Sequence, residues 1–320
     1  MNGCVHAVLL DGKGGSRALS WPEVQQWQAG DGLLWVHLDY TDESSAQWLY
    51  GHPDVPALVA DALLAQETRP RVTVMQPNLL VYLRGVNLNP GAEPADMIAI
   101  RLWVTPERII STQRRSLRAV ADLLARAEQG EAPASTYGLL VELIDVLTWN
   151  MEDVVDQVED QVSDYETASI ARQSRTMLGE FALVRRRLTL LRRFFAPQRD
   201  ALARLYDPGS PLAERERAQV REVADRLQRL LEDLDVAREH VLIAQEDLTS
   251  RLADVLNQRM YVLAIVSIVF LPLSVLTGLL GVNLAGIPGA ESPWGFPGFA
   301  LGLGALGLVI VLALKRWKWL

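Results

Sequence analysis

The stretch that decides the fold is "YVLAIVSIVFLPLSVLTGLL", Tyr261 to Leu280, which contains no charged residue. At about 1.5 Å per residue, a helix of this length crosses the hydrocarbon layer of a bilayer, which is roughly 30 Å thick. A second uncharged run, Pro297 to Leu314, is just long enough to return. The sequence therefore predicts a two-span hairpin. The alternative is a pair of buried core helices in a soluble protein, which would have to stay uncharged on every face.

Charges on either side of the two runs predict how the hairpin is oriented. The short linker, residues 281–296, holds a single charge, Glu291. Basic residues lie before the first run and after the second: Arg251, Arg259, Lys315, Arg316 and Lys318. Cytoplasmic segments carry the excess of Lys and Arg, so both ends of the hairpin are expected inside and the linker outside. We expect a multi-pass protein of the cell (inner) membrane with both termini in the cytoplasm.

The rest of the chain is polar and acidic. The 320 residues carry a net charge of −8, which argues against nucleic acid as a partner. One cysteine, Cys4, excludes an internal disulfide and fits a reducing compartment. The N-terminus has no secretory signal pattern, so we expect the polar part to stay in the cytosol.

A long helix is predicted to run from the polar part into the first span. Between Pro211 and Pro272 the chain has no proline, and valines and leucines recur from Val220 to Val255 in a narrow stripe of coiled-coil type. Pro272 is expected to kink this helix. The chain therefore divides into an α/β domain (1–133), a helical region with the stalk helix (134–259) and a transmembrane domain (260–320).

The N-terminal domain is predicted to mix strands and helices. Ser20 and Glu23 form a capping-box pattern that opens a short helix. A second helix is predicted over Val55–Ala65, and the chain from Ser116 onward reads as helical except near residues 129–135 and 206–211. Six apolar segments read as strands, which are residues 4–11, 33–40, 71–76, 78–86, 97–105 and 108–113.

Within the first span, one side of the helix carries small and polar residues, among them Asn257, Ser274 and Gly281. This pattern is typical of a helix-packing face, but it also fits the wall of a narrow, weakly polar pore. Two spans cannot enclose a pathway, so a pore would need a homo-oligomer. In the second run, Gly298 and Gly302 have the spacing of a close helix contact and are expected to pack against the first span.

The soluble part offers three weaker signals. One helix carries Glu152, Asp153, Asp156, Glu159 and Asp160, which form either a cation-attracting surface or a solvated face opposite a valine stripe. An arginine run at residues 185–193 suits lipid, a partner helix or pairing within the protein. His37 and Asp39 alternate on a strand and could ligate a metal, although no recognised metal or catalytic motif is present. We therefore expect no enzyme.

The segment "FLPLSVLTGLLGVNLAGIPG", Phe270 to Gly289, resembles the signature region of the CorA family of divalent-cation transporters. The resemblance implies an α/β cytoplasmic head, a long stalk helix, a two-span hairpin and a funnel-shaped homopentamer in a lipid bilayer. Magnesium-transporting members carry Gly-Met-Asn where this chain has Gly281–Val282–Asn283. That departure, with the following "GIPG", resembles the ZntB branch and implies transport of zinc and related ions by proton-coupled uptake.

The resemblance also assigns residues. It places a ring of five Asn283 amides at the outer mouth of a pore, and Glu246 near an acidic stalk position. The remaining pore positions are Gly281, Val282, Ser274, Leu271, Leu263, Met260 and Asn257. Zinc is then the transported ion rather than a cofactor, and no cytosolic metal ligands are assigned.

Two alternatives stay open, a magnesium or cobalt channel of the same family and a membrane-anchored sensor that transports nothing. The spans contain no carboxylate or histidine to carry a proton, and Glu291 is the nearest titratable group. A second Gly-Val-Asn, Gly85–Asn87, follows a predicted strand and reads as an ordinary turn.

Overall fold

The computed structural model describes residues 1–66, 68–171, 175–281 and 292–317. The strands are β1 (Cys4–Leu10), β2 (Ser16–Ala18), β3 (Leu33–Asp39), β4 (Arg71–Met75), β5 (Asn78–Gly85), β6 (Ile98–Val104) and β7 (Arg108–Gln113). The helices are α1 (Trp21–Gln26), α2 (Glu43–Gly51), α3 (Ala57–Leu64), α4 (Arg118–Glu128), α5 (Thr136–Ala171), α6 (Arg175–Tyr206), α7 (Glu214–Leu280) and α8 (Gly295–Arg316). The chain forms two compact units, residues 1–245 and 246–320.

All the strands of the first unit belong to one seven-stranded sheet, in the order β2-β1-β3-β7-β6-β5-β4. The pairing of β3 with β7 is parallel, and the other neighbouring pairs are antiparallel. Strands β5, β6 and β7 are buried along nearly their whole length, because helices cover both faces of the sheet. This explains why the sequences of β5 and β6 read as largely apolar runs rather than as an alternation.

The two faces of the sheet receive different helices. Tyr82 of β5 points toward α3, where its hydroxyl donates to the carbonyl oxygen of Ala62 at 3.0 Å. Gly85, an odd number of residues further along, lies on the opposite face and meets the side chain of Leu147 from α5. The packing of α2, α3 and the sheet forms one core cluster that includes Leu49 and Val59, both fully buried.

The predicted α/β head, its six strands and its two short helices are confirmed. Two elements escaped prediction, namely β2 and α2. Strand β2 is only three residues long and follows a glycine-rich turn, too short to show an alternation. Helix α2 was signalled by its N-cap, Asp42, whose carboxylate accepts from the backbone N–H of Ser44 at 2.9 Å.

The prediction of a turn at Gly85–Asn87 is wrong. Gly85 is the last residue of β5 and pairs with Ile98 of β6. Val86 and Asn87 are each only 3% exposed, and the backbone N–H of Asn87 donates to the carbonyl oxygen of Pro94 at 3.2 Å. The chain turns only afterwards, so this glycine serves packing rather than turn geometry.

The predicted long helix is confirmed, since α7 runs without interruption for 67 residues and contains Pro272. In the second unit, α7 continues through the first apolar run and α8 contains the second. The expected contact of Gly298 and Gly302 with the first span is not found among the described residues, since none of their heavy atoms outside α8 lies within 4 Å of a Cβ built at either position. A Cβ built at Gly307 would lie 3.8 Å from Leu273 Cδ1 of α7.

Candidate functional site

Two helices of the second unit are long and apolar enough to cross a membrane. The best 18-residue windows of α7 and α8 have mean hydropathies of 2.5 and 2.3. None of the α7 window and 6% of the α8 window is buried within the chain, which separates these segments from the core helices of a soluble protein. Their exposed surface is leucine, valine, isoleucine and phenylalanine, as contact with lipid requires.

The predicted pore positions that the structure describes share one side of α7. At about 100° per residue, they fall within an arc of about 120° around the helix axis. All are exposed in the single chain, and Met260, Leu263 and Leu271 are between 66% and 69% exposed. The set consists of Asn257, Met260, Leu263, Leu271, Ser274 and Gly281.

The opposite side of α7 is the one that the chain itself covers. Ile265, Val269, Pro272 and Leu273 are half-buried, and they cluster away from the arc of predicted pore positions. Leu273 lies toward Gly307 of α8. The hairpin therefore packs through one side of α7 and leaves the predicted pore face uncovered.

Polar side chains inside the spans are satisfied along their own helix. The Ser267 hydroxyl donates to the Leu263 carbonyl oxygen at 2.8 Å, and the Thr277 hydroxyl lies 2.9 Å from the Leu273 carbonyl oxygen. These bonds let hydroxyl groups enter an apolar layer without an unsatisfied donor. Val282, Asn283 and Glu291, the other residues assigned to the outer end, lie outside the described residues.

The predicted acidic helix corresponds to the middle of α5. Asp153, Asp156, Glu159 and Asp160 are exposed and Glu152 is half-buried, while the valines between them are buried at 5% exposure or less. Burial, followed by the charges of Asp233, Asp156 and Asp160, raises the pKa of Glu159. Glu246 is exposed on α7. Among the described residues no group of three or more His, Cys, Asp or Glu is placed to hold a metal ion.

The arginine run is partly used for pairing within the protein. Arg187 donates to both carboxylate oxygens of Glu93, at 2.7 and 3.0 Å, and Arg192 binds Asp235 through two bonds of 2.6 and 3.0 Å. Of the alternatives for this run, pairing inside the chain is thus observed for two of its arginines.

His37 and Asp39 serve other purposes than metal binding. His37 is fully buried, with Nδ1 2.7 Å from the Ser111 hydroxyl, and burial lowers its pKa to about 4. The imidazole is therefore neutral at physiological pH. The Asp39 carboxylate accepts from the backbone N–H and the hydroxyl of Thr41, at 2.8 and 2.7 Å.

One feature was missed from the sequence, a cavity lined by arginines beside β5 and β6. Its most buried member is Arg101, in the middle of the apolar strand "IAIRLWV". A charged residue inside a buried strand is unusual, since lysine and arginine are almost never fully buried without a partner. An arginine inside this apolar strand was the feature of the sequence that could have indicated the cavity.

Comparison with known proteins gives consistent matches along the chain. The family model described as CorA-like Mg²⁺ transporter protein matches residues 30–316. A protein of Pectobacterium atrosepticum named zinc transport protein ZntB is 37% identical over 320 residues, covering 100% of this chain and 97% of that protein. The full-length CmaX structure superimposes with a TM-score of 0.86 at 34% identity, covering 99% of this chain and 98% of that one.

The complete CorA magnesium transporter from Methanocaldococcus jannaschii superimposes with a TM-score of 0.84 and covers 99% of each chain. Its sequence is only 17% identical, so this similarity concerns the fold alone.

Proposed function

The chain belongs to the CorA-like family of Mg²⁺ transporter proteins, and from that premise we propose that it carries zinc and related divalent transition-metal ions across a membrane. The preference for zinc rests on the Pectobacterium relative, which is named as a zinc transport protein and matches this chain over 97% of its own length. It rests also on Gly281–Val282–Asn283, which replaces the Gly-Met-Asn of magnesium transporters. The relatives are transporters, and the chain is accordingly not assigned an enzymatic reaction.

The observation that carries the proposal is the uncovered side of α7. The hairpin packs through Leu273 and leaves Met260, Leu271 and Ser274 exposed on the opposite side of α7. Five copies of this surface around an axis would form a closed tube, which two spans alone cannot. The proposed assembly is therefore a homopentamer with this face of α7 lining the pathway.

The chemistry of that face sets how an ion would pass. The membrane segments contain no charged side chain, so a bare divalent ion would be very costly there. The ion is proposed to travel with part of its water shell, held by hydroxyl, carbonyl and amide oxygens. A ring of five Asn283 amides would receive it at the outer mouth. Weak contacts of this kind allow the ion to leave again, as conduction requires.

Energy coupling and orientation complete the proposal. Both termini are proposed to lie in the cytoplasm, since basic residues flank the two ends of the hairpin that are away from the linker. Uptake is proposed to be coupled to protons, with Glu291 as the titratable group nearest the pathway.

A magnesium or cobalt channel is the second candidate, and one observation favours it. The described residues hold no cluster of histidine, cysteine or carboxylate groups suited to a metal, whereas zinc prefers nitrogen and sulfur ligands. A pathway that offers only oxygen atoms to a hydrated ion also suits magnesium, which gives up its waters reluctantly.

The test is ion uptake into liposomes that contain the purified protein, measured for zinc and magnesium with and without an inward proton gradient. Zinc entry should exceed magnesium entry and rise with the gradient. Asn283→Ala should reduce zinc flux about tenfold or more, because the loss of a hydrogen bond to a charged group costs about 1.5–3 kcal/mol.

Asn150→Ala is the matched control, since it removes one amide from α5 in the other unit and should leave the flux unchanged. Magnesium entry that ignores the gradient would identify the channel of the second candidate. Flux that survives Asn283→Ala would refute the proposed ring of amides.

A further inference from the structure

A cavity of about 430 Å³ lies beside strands β5 and β6 in the first unit. Four of its lining side chains are arginines, and its other polar side chains are a tyrosine and a glutamine that can donate hydrogen bonds. These six residues are Tyr40, Gln66, Arg84, Arg101, Arg114 and Arg115. The proposed transport pathway uses none of them.

Arg101 is the most buried of the set, at 1% exposure. Its guanidinium lies over the ring of Tyr40 at 4.4 Å, and Nη2 donates to the Gln66 carbonyl oxygen at 3.2 Å. Among the described residues, Nε and Nη1 of Arg101 have no hydrogen-bond partner. No ion pair joins Arg101 to a carboxylate anywhere in the part of the chain that the structure describes. A buried cation without a counter-charge is costly, and this cost points to a missing anion.

Arg84 repeats the pattern next to Arg101. Its two terminal nitrogens donate to the carbonyl oxygens of Met97 and Thr68, at 3.0 and 2.9 Å, while Nε has no partner. Burial, followed by the positive charges of Arg101 and Arg115, lowers its pKa. The buried guanidinium of Arg101 and the half-buried guanidinium of Arg84 therefore repel one another.

The described acidic side chains pair with one of these arginines. Arg115 binds the Asp96 carboxylate at 2.6 Å. Within the described ranges, Arg84, Arg101 and Arg114 form no ion pair; Glu67, between Gln66 and Thr68, lies outside those ranges.

We propose that this cavity is a binding site for a small, multivalent oxyanion of the phosphate class. Guanidinium groups present paired N–H donors at the spacing of phosphate oxygens, and they bind phosphate more strongly when they are buried. The volume accommodates inorganic phosphate or pyrophosphate. A head-domain ligand of this kind goes beyond metal transport and does not depend on it.

The proposed anion site is connected to helix α6 through Arg84. The backbone N–H of Arg84 donates to the Gln198 side chain at 2.8 Å, and the Arg84 guanidinium lies 4.2 Å from the centre of the Phe194 ring. Gln198 and Phe194 both belong to α6. An anion that neutralises Arg84 and Arg101 would thus stabilise the junction between the sheet and this helix.

The test uses the full chain in detergent and follows binding of pyrophosphate and phosphate by calorimetry, at constant ionic strength and with chloride as the comparison. Pyrophosphate should bind and raise the unfolding temperature, and chloride should not. Arg101→Met and Arg114→Gln should each weaken binding about tenfold or more, as expected for loss of a charge-assisted hydrogen bond. Without anion, Arg101→Met should unfold at a higher temperature, because it removes the uncompensated buried charge.

Arg204→Gln is the matched control, since this arginine is 71% exposed at the end of α6 and lies outside the cavity. It should bind pyrophosphate as the parent chain does. Arg114 is exposed, so Arg114→Gln remains informative if Arg101→Met does not fold. The proposal is overturned if the parent binds no phosphate or pyrophosphate, or if both variants bind as tightly as Arg204→Gln. It is also overturned if Arg114→Gln dissociates the oligomer with no anion response, since a carboxylate of a neighbouring copy would then fill the cavity.

Discussion

Gly85 lacks a side chain where the sheet and helix α5 come closest. A Cβ at this position would lie 2.6 Å from Leu147 Cδ2 and 2.7 Å from Leu117 Cδ1. Gly281 begins the same tripeptide at the end of α7, in an apolar and exposed segment. The two glycines that begin the tripeptides therefore lie in different surroundings, one packed and one exposed.

Gly85→Ala should lower the free energy of unfolding by about 1–3 kcal/mol, the usual cost of overpacking a filled core. Leu147 and Leu117 are 0% and 2% exposed, so neither side chain can swing into solvent to make room. The measurement is the unfolding midpoint of the full chain in detergent.

Gly51→Ala is the matched control for this substitution. Gly51 is the last residue of α2, it is exposed, and no atom lies within 4 Å of the added methyl group. Its midpoint should be unchanged or slightly higher, because alanine restricts the unfolded chain. Equal destabilisation by both substitutions would show that the packing argument for Gly85 is wrong.

Single residues also mark the limit of what the sequence could predict. Asn283 was identified by its position in a motif, without any three-dimensional information. Arg101 and Arg84 were not identified, because they are 17 residues apart in the chain and meet only through the pairing of β5 with β6. Local patterns do not carry that long-range pairing.

Two aspartates of α7, Asp233 and Asp235, lie two residues apart, and their surroundings shift their pKa values in opposite directions. Burial, then the charges of Glu232 and Asp156, raises the pKa of Asp233. The hydrogen bond from Arg192, at 2.6 Å, lowers the pKa of Asp235. Repulsion that includes Asp156 of α5 therefore disfavours the charged form of Asp233, while Arg192 of α6 stabilises the charged form of Asp235.

Asp233→Asn should raise the free energy of unfolding at neutral pH by about 0.5 kcal/mol, and Asp235→Asn should lower it by up to about 1 kcal/mol. Both substitutions remove one carboxylate charge from the same helix, so each serves as the control for the other. Unfolding midpoints of the full chain provide the measurement.

The pH dependence of the two variants should differ in sign as well. The pKa of Asp233 is raised on folding, so the parent loses stability there as the pH rises through the acid range. The advantage of Asp233→Asn should grow in that direction. The pKa of Asp235 is lowered, so its stabilisation is present above the unfolded pKa and is lost as the pH falls. Parallel pH profiles for the two variants would contradict this account.

Sequence alone could locate the elements in which apolar residues recur at a regular spacing. The leucine and valine stripe of α7 predicted a helix from about Leu212, and the structure begins it at Glu214. The order of the strands in the sheet was not predictable, because β3 pairs with β7 across about 70 residues of intervening chain. The contact of Gly307 with α7 was missed for a related reason, since the glycine spacing of α8 does not say which face meets its neighbour.

The molecule as a whole combines a folded head with a hairpin that the chain does not bury. The apolar surface of α8 is exposed, with Leu301 at 76% exposure and Leu308 at 61%. Such a surface is stable only against lipid or other copies of the chain. The fold of one chain thus follows from its sequence, whereas the proposed pathway for an ion would need the bilayer and further subunits.

The arrangement of the hairpin in the membrane can be tested with the single native cysteine removed. In a Cys4→Ser background, Ser292→Cys places a thiol on the linker side of α8 and Trp317→Cys places one at its basic end, both at exposed positions. A membrane-impermeant maleimide should label Ser292→Cys in intact spheroplasts and Trp317→Cys only after lysis. The reason is that Lys315 and Arg316 lie in the last turn of α8, and the proposed orientation puts this basic end in the cytoplasm. The parent chain, with Cys4 in the head, should also require lysis, and labelling of Trp317→Cys from outside would reverse the proposed orientation.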